Sequence, residues 1–207
     1  MTSQAEPPTL AIVAGAAGAG KQAWTRGHRT RLPDAFYDAD WLAEGLGGWD
    51  DDDHRAAANT MITERINKHL KKRESFGLKT TLEGPGTAAI IERAAQMGYA
   101  VQTVFIGTRA STVNGKRVLE SAMAHQRPYT PEARIGTQWA EAQNGVARTA
   151  GSMNALTILD NTRTPYREIA RLAHGRTSWS TKPLPSWAKH LLEEIERYHS
   201  DARTTAG

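Results

Sequence analysis

The stretch Gly15-Ala16-Ala17-Gly18-Ala19-Gly20-Lys21 follows directly on the apolar run Leu10-Ala-Ile-Val-Ala14, and nothing else in the chain constrains its fold as tightly. An apolar strand running into a G-x-x-x-x-G-K turn, with a helix behind it, is the arrangement in which backbone N–H groups close around an anion. Glycines permit the turn, the helix starting near Lys21 adds the positive end of its dipole, and the Lys21 ammonium is a mobile charge suited to β- and γ-phosphates. Gly15, Ala16, Ala17, Gly18, Ala19, Gly20, Lys21 and Gln22 are therefore the candidate nucleotide-binding residues. Gln22 stands where a Ser or Thr hydroxyl ordinarily reaches Mg²⁺.

The rest of the chain fits an α/β protein. Short apolar runs alternate with helical periodicity, which favours a mostly parallel sheet flanked by helices. Strands are expected over 9–14, 35–38, 75–82, 100–106 and 155–159. Helices are expected over 21–28, 51–73, 87–96, 111–125 and 131–149, with a last one after Pro185 striped by Trp187, Leu191, Leu192 and Ile195. The segment 167–179 reads equally as a hairpin or as an extended stretch. At 207 residues one domain is expected over 1–199, with a helical excursion at about 108–150 and a frayed tail over 200–207.

Composition narrows the function. With 26 Lys and Arg against 22 Asp and Glu the formal charge is +4, enough to suit a phosphorylated ligand and too little to point to nucleic acid. The absence of cysteine excludes disulfides and thiolate metal sites. No leader-like start or membrane-length apolar run is present, so a cytoplasmic protein without a membrane partner is expected.

Three further groups of residues carry candidate chemistry. Asp38 and Asp40 close the strand over 35–38, where ligands of open α/β sheets bind. A carboxylate there can take a proton from an attacking hydroxyl or hold Mg²⁺; a helix cap is the competing reading. Lys79, Thr80, Thr81 and Glu83 lie at the end of the next strand. A lysine inside a strand buried on both faces is out of place unless it meets a charge, and the threonines offer hydroxyls to phosphate or metal, or simply favour strand. Finally, Arg109, Lys116, Arg117, Arg127 and Arg134 lie on the helical excursion, from which a lid commonly brings positive charge to a phosphoryl group.

In this order the segments resemble the zeta toxin family of P-loop kinases. The likeness runs through Leu10–Lys21, Phe36-Tyr37-Asp38-Ala39-Asp40, Thr80-Thr81-Leu82, the strand opened by Gly98-Tyr99, Arg117-Val118, Pro131-Glu132 with Ile135, Asp160-Asn161 and Leu184-Pro185-Ser186-Trp187. It implies a P-loop NTPase/kinase-like three-layer fold, ATP with Mg²⁺ on the glycine loop, and Asp40 as general base for a substrate hydroxyl. The family's acceptors are UDP-activated amino sugars such as UDP-N-acetylglucosamine, and a small antitoxin protein is the family's partner. The chain departs from the family at Gln22, at Lys79 in place of an acid, and at Gly136-Thr137-Gln138 in place of a basic cluster. The compensations expected are Arg127 and Arg134 for lid charge, and Asp38 or Thr81 for metal. The alternative is a catalytically degenerate nucleotide-binding relative with a regulatory or partner-binding role.

Overall fold

The computed structural model describes residues 6–38, 42, 52–125, 130–173, 176–179 and 182–204; Asp40 and Arg127 lie outside them. Seven strands form one sheet: β1 (Thr9–Ala14), β2 (Phe36–Asp38), β3 (Phe76–Thr80), β4 (Ala100–Gly107), β5 (Ala155–Asp160), β6 (Arg167–Ala173) and β7 (Arg176–Trp179). Their order is β2-β3-β1-β4-β5-β6-β7. The five strands from β2 to β5 are parallel, and β6 and β7 extend the sheet as an antiparallel hairpin. The hairpin alternative for 167–179 is the one realised.

Helices α1 (Lys21–Gly27), α2 (Asp52–Lys72), α3 (Pro85–Gln96), α4 (Ser111–His125), α5 (Glu132–Thr149) and α6 (Ser186–Thr204) connect and flank the strands. β1 has no polar position after Thr9 because both faces are covered. Leu10, Ile12 and Ala14 pack into the larger core, which takes Ile62, Ile66 and Leu70 from α2, Ile91 and Ala94 from α3, Val146 from α5 and the Trp187–Leu191–Ile195 stripe of α6. Val13 faces the other way, against Ala19, Ile106 and Leu159 with Trp24 of α1 beside them. The layers are thus unequal: among the described residues the cluster on the second face is much the smaller, and Trp24 of α1 and Leu32 pack against it. α3 begins at Pro85, two residues earlier than its apolar periodicity indicates, because proline is preorganised for a first helical turn.

The short edge strand β2 is pinned by side chains. The Tyr37 hydroxyl lies 2.7 Å from Nε2 of His69, and Nδ1 of the same ring lies 2.9 Å from the Glu74 carboxylate. A carboxylate accepts, so Nδ1 carries the proton and Nε2 is left to accept from Tyr37. The Tyr99 hydroxyl in turn donates to the carbonyls of His69 and Glu74 at 3.0 and 3.1 Å.

Candidate active site

The glycine loop joins β1 to α1 at the carboxyl end of the sheet. Gly18 and Gly20 have φ of 72° and 103°, backbone that a side chain disfavours. The space is closed too: a Cβ on Gly18 would come within 2.4 Å of the Asn114 carbonyl, and one on Gly20 within 2.3 Å of Asn161 Nδ2.

Three side chains from distant elements hold the loop by its carbonyls. Asn114 Nδ2, on α4, donates to Ala17 O at 2.6 Å. Asn161 Nδ2, just past β5, donates to Ala19 O at 2.8 Å. The Tyr166 hydroxyl, just before β6, donates to Gly20 O at 2.8 Å. In a planar trans peptide the N–H points opposite to the preceding C=O. Tying these carbonyls outward therefore turns the N–H groups of Gly18, Gly20 and Lys21 inward. That is the donor array an anion needs, and it stands at the positive end of α1. Asn114 is fully buried and is fixed by a short hydrogen bond from the Thr108 hydroxyl, while the Thr108 carbonyl accepts from Trp139 Nε1 at 3.1 Å.

Lys21 opens α1 and is only 8% exposed. Its Nζ donates to Gly15 O at 2.6 Å and Ala16 O at 2.9 Å, so the ammonium lies over the mouth of the loop. Burial pushes the Tyr166 phenol above its ordinary pKa, and the Arg117 guanidinium opposes that shift. Arg117 reaches the Thr162 carbonyl only at 3.5 Å, and its Nη1 is buried with no hydrogen-bond partner among the described residues. Asp160 closes β5 and is engaged by the Thr162 amide at 3.0 Å, by the Thr162 hydroxyl and by Arg167 at 3.4 Å.

Lys79 meets the charge its position requires: it forms a close ion pair with Asp38 on the adjacent strand. Thr80 is spent locally, its Oγ1 accepting from the Leu82 amide at 3.0 Å and lying 3.3 Å from the Thr87 hydroxyl. Thr81 is half-buried at the end of the strand. Glu83 accepts from Arg134 Nη2 at 2.9 Å and from Gln138 Nε2 at 3.4 Å, which joins the segment after β3 to α5. The structure thus gathers the loop, Lys21, Asp38 and Lys79 at the carboxyl ends of β1, β2 and β3, and it pairs Arg134 with Glu83. Asn114, Thr108 and Tyr166 are the residues sequence reasoning missed.

The donor set suits an anion better than a resident Mg²⁺. Mg²⁺ is held by carboxylates and other hard oxygens. Asp38 points at an ammonium, Asp160 is engaged by Thr162 and Arg167, and residue 22 is an exposed glutamine. Among the described residues no group of three metal-binding side chains comes together.

No protein-family model matches the sequence, and no curated protein matches it. Solved structures do share its fold. The AvrRxo1-ORF1:AvrRxo1-ORF2 complex, solved with sulphate ions and with ATP, superposes with a TM-score of 0.66 at 14% identity over 92% of this chain. The chain spans 64% of the length of that protein. The PezAT chromosomal toxin–antitoxin system of Streptococcus pneumoniae gives 0.57 at 14% identity, over 96% of this chain and 88% of the other. The Pnkp1/Rnl/Hen1 RNA repair complex gives 0.56 at 15% identity, over 70% and 47%. With its 2-3-1-4-5 parallel core and its glycine loop after β1, the chain has a P-loop kinase-like fold, shared with the AvrRxo1-ORF1:AvrRxo1-ORF2 and PezAT structures.

Proposed function

We propose that this protein is an ATP-dependent kinase that transfers the γ-phosphoryl group to a hydroxyl of a small molecule, with a UDP-activated amino sugar such as UDP-N-acetylglucosamine as acceptor. The observation that carries the reading is the loop whose carbonyls are tied outward at Ala17, Ala19 and Gly20 beneath the Lys21 ammonium. A neighbour of the same fold has been solved with ATP, which supports adenine nucleotide as the ligand.

In this proposal the amides of residues 18–21 and the Lys21 ammonium grip the β- and γ-phosphates, and the negative charge that grows there during transfer meets fixed donors. Asp40 takes the proton of the acceptor hydroxyl as its oxygen bonds to phosphorus and ADP leaves. Asp38, Lys79, Thr80, Thr81 and Glu83 line the acceptor side. Arg134, now held by Glu83, and Arg127 supply lid charge. A protein antitoxin as partner belongs to the same proposal, since one neighbour comes from a chromosomal toxin–antitoxin system and another was solved in complex with a second protein.

The test is ATP turnover against a panel of UDP-sugars, with Asp40→Asn and Lys21→Ala as controls. Phosphorylated UDP-sugar that disappears in both variants is the expected result. ATP binding with no turnover for any acceptor overturns the kinase reading. That outcome favours a second reading, a nucleotide-binding relative with a regulatory role, which the Gln22 carboxamide and the Arg134–Glu83 pair also favour.

A further inference from the structure

We propose that Glu83 recognises the acceptor: α5 holds one oxygen of its carboxylate, and the other accepts a hydrogen bond from an O–H or N–H of the acceptor other than the hydroxyl that is phosphorylated. The proposal rests on the kinase reading above. It narrows the acceptor to a molecule that is neutral and rich in donors at that end, as a sugar ring is and a phosphate-lined strand end is not.

Two donors one helical turn apart meet at the same atom. Arg134 Nη2 and Gln138 Nε2, at i and i+4 on α5, reach Glu83 Oε1 at 2.9 and 3.4 Å. Glu83 Oε2 makes no hydrogen bond among the described residues, and the side chain is 28% exposed. A carboxylate only accepts, so the Gln138 carboxamide has to turn its NH₂ group to Glu83. Its Oε1 is thereby left buried with no partner. An unsatisfied buried carbonyl is destabilising. An arrangement serving stability alone would satisfy both ends of Gln138; this one gives up a hydrogen bond to aim a carboxylate.

Contacts also place Glu83 relative to the glycine loop. The Leu82 carbonyl lies against Gly145 of α5, where a Cβ would come within 2.3 Å of it, and the Leu82 amide donates to Thr80 Oγ1 at 3.0 Å. Gln138 meets Glu83 past the end of β3, and the next residue, Trp139, donates through Nε1 to the Thr108 carbonyl past the end of β4 at 3.1 Å. β1 lies between β3 and β4 in the sheet, so this turn of α5 crosses the end of β1, where the loop begins. Trp139 lines one small cavity together with Ala16 of the loop and Asn114. Glu83 therefore stands on the β3 side of the loop, with one turn of α5 between them. An anionic group brought there would face a carboxylate, so the donor that reaches Oε2 belongs to a neutral part of the acceptor. Gln138, and Arg134 in its contact with Glu83, are positioning residues.

Steady-state kinetics with ATP and UDP-N-acetylglucosamine test the proposal. Glu83→Gln should raise the KM for the sugar nucleotide by about tenfold or more and leave that for ATP within about twofold. Gln138→Leu, which removes the orphaned carbonyl together with one of the two donors, should raise the sugar KM by about threefold while the melting temperature holds or rises. An unchanged sugar KM in Glu83→Gln overturns the proposal and leaves the kinase reading standing. So does a rise in both KM values with a fall in melting temperature, which would make Glu83 a structural residue. If circular dichroism shows Glu83→Gln misfolded, Gln138→Leu carries the test, and an unchanged sugar KM there overturns the proposal. Wild-type turnover of a 5′-hydroxyl RNA in place of any UDP-sugar overturns the neutral acceptor. No turnover with either class overturns the proposal and the kinase reading together.

Discussion

Tyr166 shows how much a single side chain contributes to the loop. Its hydroxyl donates to Gly20 O, the carbonyl that also accepts the first helical bond of α1 from the Trp24 amide at 3.1 Å. The phenol is held protonated by burial, its pKa above the ordinary value. The folded chain therefore binds that proton more tightly than the unfolded one. Its contribution to stability is complete below about pH 10 and is lost as pH rises through the raised folded-state pKa. Denaturant midpoints measured against pH should fall off in this alkaline window for wild type. Tyr166→Phe should be less stable by about 1 kcal/mol at neutral pH and lack this alkaline component. An alkaline slope unchanged in Tyr166→Phe would assign the loss to another group. None of this was legible from the sequence, because Tyr166 lies 146 residues from Gly20 and Asn114 lies 97 from Ala17. Asn, Thr and Tyr are common in many roles, and only the fold gives them a carbonyl to hold. The loop itself was legible because its glycines, lysine and flanking strand are contiguous.

At the scale of elements, β2 is a three-residue edge strand that carries Asp38 and leads to Asp40. The chain Tyr37–His69–Glu74 fastens it to the end of α2. His69→Leu should cost about 1–3 kcal/mol, the penalty for stranding the half-buried Tyr37 hydroxyl and losing the contact to Glu74. It should also lower turnover, since the acids beyond Tyr37 lose their footing; a wild-type denaturation midpoint would show that the strand is secured otherwise. By contrast, the Arg134–Glu83 pair is more than half exposed on the arginine side, and such pairs contribute under about 1 kcal/mol. Arg134→Ala should leave the melting temperature nearly unchanged while reducing phosphoryl transfer, and a fall in stability without a fall in rate would make Arg134 structural. Apolar runs marked the central strands β1, β3 and β4, whose positions are mostly buried. Periodicity could not decide 167–179, where Arg167, Glu168 and Arg171 interrupt the apolar pattern on a strand near the sheet's edge. It also missed the partner of Lys79, since a lysine's charge is visible in a sequence and the strand beside it is not.

At the scale of the whole molecule, among the described residues α2, α3, α5 and α6 supply the larger core while Trp24 of α1 packs against the smaller one. The apolar mass thus anchors the sheet from behind while the glycine loop, Asp38 and Lys79 gather at the carboxyl ends of β1, β2 and β3. The modest positive formal charge fits a site for one anion better than a surface for a polymer. No described helix is long and apolar enough to cross a membrane. The α/β class and the mostly parallel sheet were within reach of pattern and resemblance; the unequal covering was not, because amphipathic stripes do not say which face of a sheet they will meet.

The Ala17 carbonyl hangs from a side chain of α4, so that helix and the cradle share one hinge of motion. A tail seated in the loop should quiet the whole arm: deuterium uptake along residues 111–125 should slow when ATP is added. In Asn114→Ala the arm should exchange at one rate, ligand or none, as a door does once its latch is cut.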